Sequence, residues 1–589
     1  MKRYIFKTIM SIVFIMGILT SCEDLKFGDA FLEKPMSDDV DIDVVFSEKK
    51  YADQALNQFY KSLPDFLGSW SAGPRIEAIT LDLCSDIGYS MTSWERGTIS
   101  ASSKSWPYNL WHEGVVGSPF YGIRKAYIYI ENVDRVPDMS TEEKIIRKAE
   151  AKVVIALHYV QMIRFLGGIP WIDHAYEANE TFKLPRMTLE ESVNKVCDLL
   201  DEAARDLPWH NPTDEELGHM TAAGAKALKF RLLMFVASPI FNANEPYYAG
   251  EAANKRLTWY GDYQESRWQR ALNAGLEFLR MNVDDGNYYQ IEDTDNPRED
   301  YVNGYFTRGN REVILPTFRW AIYKKGHKAY KQFDQGKGCP RGNYADMFQW
   351  KDGSPFDWNN PEHRKYPFFD AEGNPTRDVR LYENLLVNGD KWQKGRPAEV
   401  YEGGQQGYGT NSKVGQRTKY GYGFRKFIRN CDDEIINKPY SCPWIRMPEI
   451  YLNMAEVMNQ LNMATQKDEF GRDAYDYLNL VHERAGLPPV TAETVTAGTP
   501  LLEYLLDERA REFGQEDVRY YDMVRYKKGK EWATRPLEEL KTRKNGNEFT
   551  YEVIIHNDSK YMWRDYWYLL PFPTNEINKK FGLIQNPGW

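Results

Sequence analysis

Apolar residues recur at three- and four-residue intervals over much of the chain, which is the spacing of one face of an α-helix. One stripe follows Thr141, the predicted N-cap, and ends before Pro170; its members are Ile145, Ala149, Val153, Ala156, Val160 and Ile163. A second stripe begins at Thr188, where Glu191 completes a capping box, and it stops at Pro208. The pattern predicts successive helices with short connections, as in stacked helical hairpins.

The helical pattern is interrupted in the middle of the chain. A third helix is predicted between Thr221 and Pro239, and helices return near Pro448 and continue to Gly514. Residues 241–440 are rich in Gly, Pro, Asn, Asp, Tyr and Trp, and we expect mostly ordered loop there, because disordered segments contain few aromatic residues. We expect a leader (1–21), a tether (22–43) and one compact body. The body contains an N-terminal helical region (44–240), a variable loop-rich region (241–440) and a C-terminal helical region (441–589).

The amino terminus has the pattern of a bacterial lipoprotein signal. A basic start precedes an apolar run over residues 9–19, which is shorter than the roughly 20 residues that a membrane-spanning helix needs. Leu19-Thr20-Ser21-Cys22 then matches a lipobox. We expect Cys22 to become the first mature residue and to carry lipid, so that a soluble body is anchored to a membrane. An ordinary signal peptide with an incidental cysteine is the alternative.

Charge and composition limit the classes of ligand. The net charge is −10, and 75 basic and 85 acidic residues are mixed along the chain without a basic stripe, so nucleic acid is not an expected partner. Aromatic residues make up 14% of the chain, with 17 Trp and 39 Tyr. Trp and Tyr combine a flat apolar face with a polar group, so they suit both a core and a wet recognition surface.

The sequence contains no recognisable cofactor or metal motif. Apart from Cys22, five cysteines remain, an odd number that argues against a full disulfide framework, although Cys431 and Cys442 are close enough in sequence for a local bridge. The nine histidines lack an HExxH spacing, and the calcium-like fragment at residues 293–296 lacks the required glycine. The glycine-rich runs near Gly403 and Gly421 lack phosphate-binding motifs and are interpreted as turns. We predict no metal and no cofactor.

Several motifs resemble one protein family. They are YLLPFP at residues 568–573, QNPGW at 585–589, RMPEIYL at 446–452, RYYDM at 519–523 and FLGGIP at 165–170. Their order resembles that of the SusD/RagB family of outer-membrane nutrient-uptake lipoproteins. The resemblance implies a mainly α-helical fold of tetratricopeptide-like hairpins with a variable loop-rich face. It also implies an extracellular position at the outer membrane over a TonB-dependent, SusC-like transporter, and capture of a nutrient, usually an oligosaccharide.

Charged residues near the carboxyl end allow two interpretations. Arginines alternate with acids in this stretch: Glu508, Arg509, Arg511, Glu512, Glu516, Asp517 and Arg519. Three- and four-residue spacing on a helix permits ion pairs. A pair of catalytic carboxylates, as in glycosidases, is the alternative. We favour ion pairs because the interleaved arginines keep the acids ionised, and we predict no catalytic residue.

Aromatic residues are the candidates for ligand binding. A pyranose ring has a flat C–H face that stacks on Trp or Tyr, while its hydroxyl groups bind polar side chains. The predicted ligand-binding residues are Trp94, Trp320, Tyr323, Tyr89 and Tyr330. The family resemblance implies a stacking aromatic in the loop around Trp94, whereas core packing is the alternative for each residue. We expect a binding protein rather than an enzyme; a surface glycan hydrolase and a peptide-capturing relative are the alternatives.

Overall fold

A computed structural model describes residues 42–63, 81–90, 97–102, 119–177, 180, 183–316, 338–407, 418, 420–430, 437–496, 500–557 and 562–589. Cys22 and the predicted leader lie outside these residues, as does all but the end of the predicted tether. Within them, no helix is long and apolar enough to cross a bilayer. Cys197 is buried, while Cys431, one half of the local bridge left open above, lies outside the described residues.

Helices that follow one another in sequence build the N-terminal part of the body. They are α1 (Lys49–Tyr60), α2 (Pro119–Asn132), α3 (Thr141–Leu166), α4 (Leu189–Asp206), α5 (Ala222–Ala237) and α6 (Ser266–Asp284). Each packs against the next, which confirms the predicted helical hairpins. The capping box at Thr188 is confirmed, because its Oγ1 accepts from the Glu191 N–H at 3.2 Å. The cap of α3 is Ser140 rather than the predicted Thr141, since its Oγ accepts from the Glu143 N–H.

The remaining long helices pack on the same core. They are α7 (Pro297–Phe306), α8 (Met447–Gln460), α9 (Ala474–His482), α10 (Leu501–Phe513) and α11 (Val518–Arg525). Shorter helices are Ile42–Val45, Glu251–Asn254, Gly342–Met347, Pro361–Lys365, Leu381–Asn384, Ala492–Thr496, Gly529–Ala533 and Thr574–Asn578. The observed fold is therefore mainly α-helical, as predicted.

The middle of the chain is more regular than the sequence analysis expects. Helices α6 and α7 lie within residues 241–440, so the expectation of loop is wrong for them. The buried face of α6 includes Trp268, Leu272 and Phe278 at helical spacing. Gly275 has no side chain to separate α6 from its neighbours; a Cβ there would lie 2.3 Å from Met454 Sδ of α8. The helical spacing of apolar residues in α6 is not visible when composition is averaged over the whole of residues 241–440.

Short antiparallel strand pairs join distant segments. The strands are β1 (Gly88–Ser90), β2 (Val313–Pro316), β3 (Gly338–Pro340), β4 (Leu385–Leu386), β5 (Gly423–Phe424), β6 (Pro443–Arg446), β7 (Leu537–Asn545) and β8 (Glu548–His556). The pairs are β1 with β3, β2 with β6, β4 with β5 and β7 with β8. The β7–β8 hairpin, which was not predicted, is the longest of these among the described residues.

The charged residues of the C-terminal region form ion pairs, as predicted, but most of the partners are distant in sequence. Arg511 pairs with Glu508 three residues away, whereas Arg509 pairs with Asp522 and Arg519 with Asp86. Burial would raise the pKa of Glu512. The positive charges of Arg484, Arg446 and Arg380 have a larger opposite effect and hold the pKa well below its usual value. A buried carboxylate bound by three guanidinium groups cannot act as a general acid.

Candidate functional site

Tyr89 is the predicted ligand-binding residue that lies among the described residues; Trp94, Trp320, Tyr323 and Tyr330 lie outside them. Tyr89 occupies the middle of β1, where its register partner in β3 is Cys339. Trp94 follows β1 in sequence, and the other three lie in the segment that connects β2 to β3. The strand pair β1–β3 brings together residues 88–90 and 338–340.

Three half-buried rings from separate segments meet beside this strand pair. The ring centroids of Tyr89 and Tyr420 are 5.5 Å apart, with the rings nearly perpendicular at 87°. Tyr420 also contacts the imidazole ring of His556 at the end of β8, at a centroid distance of 5.6 Å. Edge-to-face contact leaves ring faces in different orientations, which suits the stacking of a flat ligand.

The backbone at Tyr420 has a conformation that is unusual for a bulky residue. Its φ is +58°, in the left-handed region, where strain is common at functional sites. The Leu540 N–H donates to the Tyr420 carbonyl oxygen at 3.1 Å and so ties the residue to β7. Gly421 follows with φ +89°, and a Cβ at that position would lie 2.1 Å from the Leu540 carbonyl oxygen. Close contact with β7 thus requires glycine next to Tyr420.

Gly421→Ala is expected to lower the free energy of unfolding by about 1–3 kcal/mol, since alanine adds both left-handed strain and the overlap with β7. Gly546→Ala is the matched control, because Gly546 also has positive φ but has no atom within 4 Å of a Cβ. Chemical unfolding of both variants measures the difference. Equal losses in the two would show that the overlap with Leu540 has no effect.

Buried ion pairs hold the segment that carries Tyr420 against the core. Lys426 Nζ donates to Tyr301 Oη at 2.7 Å, to the Glu512 carbonyl oxygen at 3.0 Å and to the Glu516 carboxylate at 2.5 Å. Burial lowers the pKa of the Lys426 ammonium group to about 8. Arg425 next to it pairs with the buried carboxylate of Asp390. Residues 420–430 are therefore fixed at several points.

The strand that carries Tyr89 is anchored in a similar way. Asp86, three residues before Tyr89, accepts two hydrogen bonds from Arg519, both at 2.9 Å, and a third from Arg535 at 3.2 Å. Burial would raise the pKa of Asp86, but the positive charges of Arg519 and Arg535 have a larger opposite effect, so the pKa is lowered. Both tyrosines therefore extend from segments that buried charges attach to the C-terminal helices, which preorganises the ring pair.

An open cavity of about 230 Å³ lies next to the three rings. It is lined by Val400, Tyr401, Glu402, Gly407, Thr418, Gly421, Glu539, Leu540, Lys541 and Thr542. Gly421 and Glu539 connect it to the rings, because Gly421 follows Tyr420 and Glu539 Oε2 lies 2.6 Å from His556 Nε2. Aromatic rings beside a partly polar cavity can stack a flat ligand and bind its hydroxyl groups.

Comparison with known proteins identifies the family. Residues 316–589 match the model of the SusD family. The carboxyl-terminal part of the chain is thus a SusD-family region. SusD-like protein P25 from Formosa agariphila is 23% identical over 433 residues, which are 69% of this chain and 68% of that protein. The resemblance of the carboxyl-terminal motifs is thus confirmed.

Solved structures of SusD-like proteins share the fold of this chain. A SusD-like protein from Bacteroides fragilis has a TM-score of 0.69 and 21% identity, covering 95% of this chain and 100% of that one. A SusD-like carbohydrate binding protein from the same species has a TM-score of 0.66 and 17% identity, covering 91% and 99%. At this identity the similarity establishes the fold, and it confirms the predicted SusD-like architecture.

Most residues of the described site were not among the predicted ligand-binding residues. Tyr420, His556 and Glu539 were not predicted, and the run around Gly421 was interpreted only as a turn. A signal was present in residues 420–424, where aromatic residues alternate with glycine. Such alternation brings rings close to another backbone. The contact with His556, 136 positions away, has no local signal.

Proposed function

We propose that the protein captures a glycan at the cell surface and passes it to a TonB-dependent, SusC-like transporter without cleaving it. The observation that carries this proposal is the ring pair of Tyr89 and Tyr420 beside a partly polar cavity. A relative of the same fold is named as a carbohydrate binding protein, which supports a sugar as the ligand class. The four predicted aromatics outside the described residues, Trp94, Trp320, Tyr323 and Tyr330, are proposed as further ligand-binding residues.

Tyr420→Ala and Tyr89→Ala are expected to weaken glycan binding about fivefold to tenfold each, because an aromatic contact contributes roughly 1 kcal/mol and 1.4 kcal/mol is tenfold in affinity. The protein is screened on immobilised polysaccharides, and the dissociation constant of each hit is measured by calorimetry. Tyr248→Ala, which removes an exposed tyrosine outside the site, is the control.

A reducing-sugar assay on the same hits separates binding from hydrolysis. We expect no release of sugar from the intact protein, and steady release would support the hydrolase alternative. Unchanged affinity in both tyrosine variants would contradict the site. Binding of peptides but of no polysaccharide would support the peptide-capturing alternative.

The proposed location is the outer membrane, with a lipid anchor at Cys22 and the body facing outward. The lipobox supports this, and the transporter as partner rests on the family. Cys22→Ala is expected to release the protein from the membrane fraction, because a hydrophobic anchor of several acyl chains holds it there. Mass spectrometry of the mature amino terminus checks the acylation. An unmodified terminus elsewhere would contradict the anchor, and recovery of no β-barrel protein on mild-detergent purification would contradict the partner.

A further inference from the structure

We propose that Glu539 and Lys541 are the polar specificity residues of the site and that they select a neutral glycan with free hydroxyl groups over an anionic one. This inference rests on the proposed function, because it names the ligand class of the same site. Neither residue stands out in the sequence, since both lie in a hairpin that the sequence analysis did not predict.

The hairpin register places the two side chains together. Glu539 and Lys541 are two positions apart on β7, so they extend from the same face of the strand, and both line the cavity. Their cross-strand partners on β8 are Ile554 and Glu552. Neighbouring side chains on one face of a strand lie about 7 Å apart. An acceptor and a donor at this separation can bind different hydroxyl groups of one sugar unit.

The imidazole ring of His556, one of the three rings of the site, contacts the Glu539 carboxylate. Its Oε2 lies 2.6 Å from His556 Nε2, and the imidazole of His556 contacts the Tyr420 ring. Among the described residues, no group donates a hydrogen bond to Glu539 Oε1. His556 therefore acts as a positioning residue that orients the carboxylate beside the stacking surface, with one oxygen available to a ligand.

The chemistry of the carboxylate determines what it accepts. An ionised carboxylate has no proton to donate, so it binds groups that do, such as sugar hydroxyls, through strong charge-assisted hydrogen bonds. The carboxylate or sulfate group of an anionic sugar, placed beside Glu539, has no proton to donate and adds a like charge, which is unfavourable. Glu539 thus favours one ligand class and also disfavours the other.

The other charges around the cavity balance one another. Lys541 Nζ lies 3.6 Å from Glu402, and Arg543 Nε lies 3.6 Å from the same carboxylate. Arg543 also pairs with Glu552 at 2.7 Å. The two described cations on this side of the hairpin therefore already have acidic neighbours, and they do not form an anion site. Lys541 remains a hydrogen-bond donor for a hydroxyl oxygen.

The experiment compares two panels of immobilised polysaccharide with detergent-solubilised full-length protein. The neutral panel contains a glucan, a xylan, a mannan and a galactan. The anionic panel contains a polygalacturonate, an alginate and a sulfated galactan. We expect the best neutral polysaccharide to bind at least about tenfold more tightly than the best anionic one. Glu539→Gln should reduce this ratio at least about fivefold, and Glu539→Ala should weaken neutral binding about tenfold.

Glu548→Gln is the matched control, because it makes the same change at an exposed position of the same hairpin outside the cavity lining, and it should leave the ratio unchanged. Circular dichroism checks that each variant is folded. The inference is overturned if the parent prefers anionic polysaccharides, or if both Glu539 variants bind as the parent does while Tyr420→Ala still weakens binding. Failure of the parent to bind either panel contradicts the proposed function itself.

Discussion

Replacing Arg446 by leucine is expected to lower the free energy of unfolding by about 3–5 kcal/mol, because it leaves buried carboxylates without a cation that they share. Arg446 is fully buried at the end of β6 and pairs with Glu312, Glu512 and Glu516. Arg484 still contacts the first two of these carboxylates, but it cannot replace a second guanidinium group. Urea unfolding followed by circular dichroism measures the change.

Lys467→Leu provides the control for this prediction. Lys467 pairs with Asp473 at 2.8 Å on the surface, where an ion pair contributes little to stability. The two variants therefore separate the effect of burial from the effect of a lost ion pair. An Arg446→Leu protein as stable as Lys467→Leu would show that the buried network does not hold the helices together.

The second large effect concerns Asp346. Burial raises the pKa of its carboxyl group to about 7, and the Trp358 indole N–H donates to its two oxygens at 3.1 and 3.2 Å. Because the folded state binds this proton more tightly than the unfolded chain, the resulting stability is present below about pH 4 and is lost as the pH rises through 7. As the pH rises from 5 to 8, the free energy of unfolding of Asp346→Asn should increase by about 2–3 kcal/mol relative to that of the parent.

Chemical unfolding at pH 5 and pH 8 checks this difference, which is independent of any constant effect of the asparagine amide. Asp284→Asn, which makes the same change at an exposed position at the end of α6, is the control for the substitution itself. If the stability difference between Asp346→Asn and the parent is the same at both pH values, the carboxyl group of Asp346 does not titrate in this range.

The helices could be predicted because their signals are local. A capping box at Thr188 and an apolar stripe from Ile145 to Ile163 specify α4 and α3 within a single stretch of sequence. Helix α6 has the same kind of signal at Trp268, Leu272 and Phe278, and only the averaging of composition over residues 241–440 concealed it. The C-terminal motifs identified the family because they extend over several consecutive residues.

The site could not be predicted in the same way, because its contacts join distant positions. Tyr89, Tyr420 and His556 come from segments separated by 331 and 136 positions, and no local pattern predicts their contact. The ion pair between Arg519 and Asp86 is similar, since helical spacing suggested neighbours on the same helix instead. Strand register and buried charge pairing are tertiary properties, so the structure was needed to find the rings and the cavity.

Calorimetric binding of the best polysaccharide hit to the parent and to the Tyr89→Ala/Tyr420→Ala double variant tests whether the two rings form the glycan site. We expect measurable binding by the parent, a loss of at least about tenfold in the double variant, an unchanged circular dichroism spectrum and no released sugar. Equal affinity of the two folded proteins for the glycan would contradict the claim that these rings form the binding site.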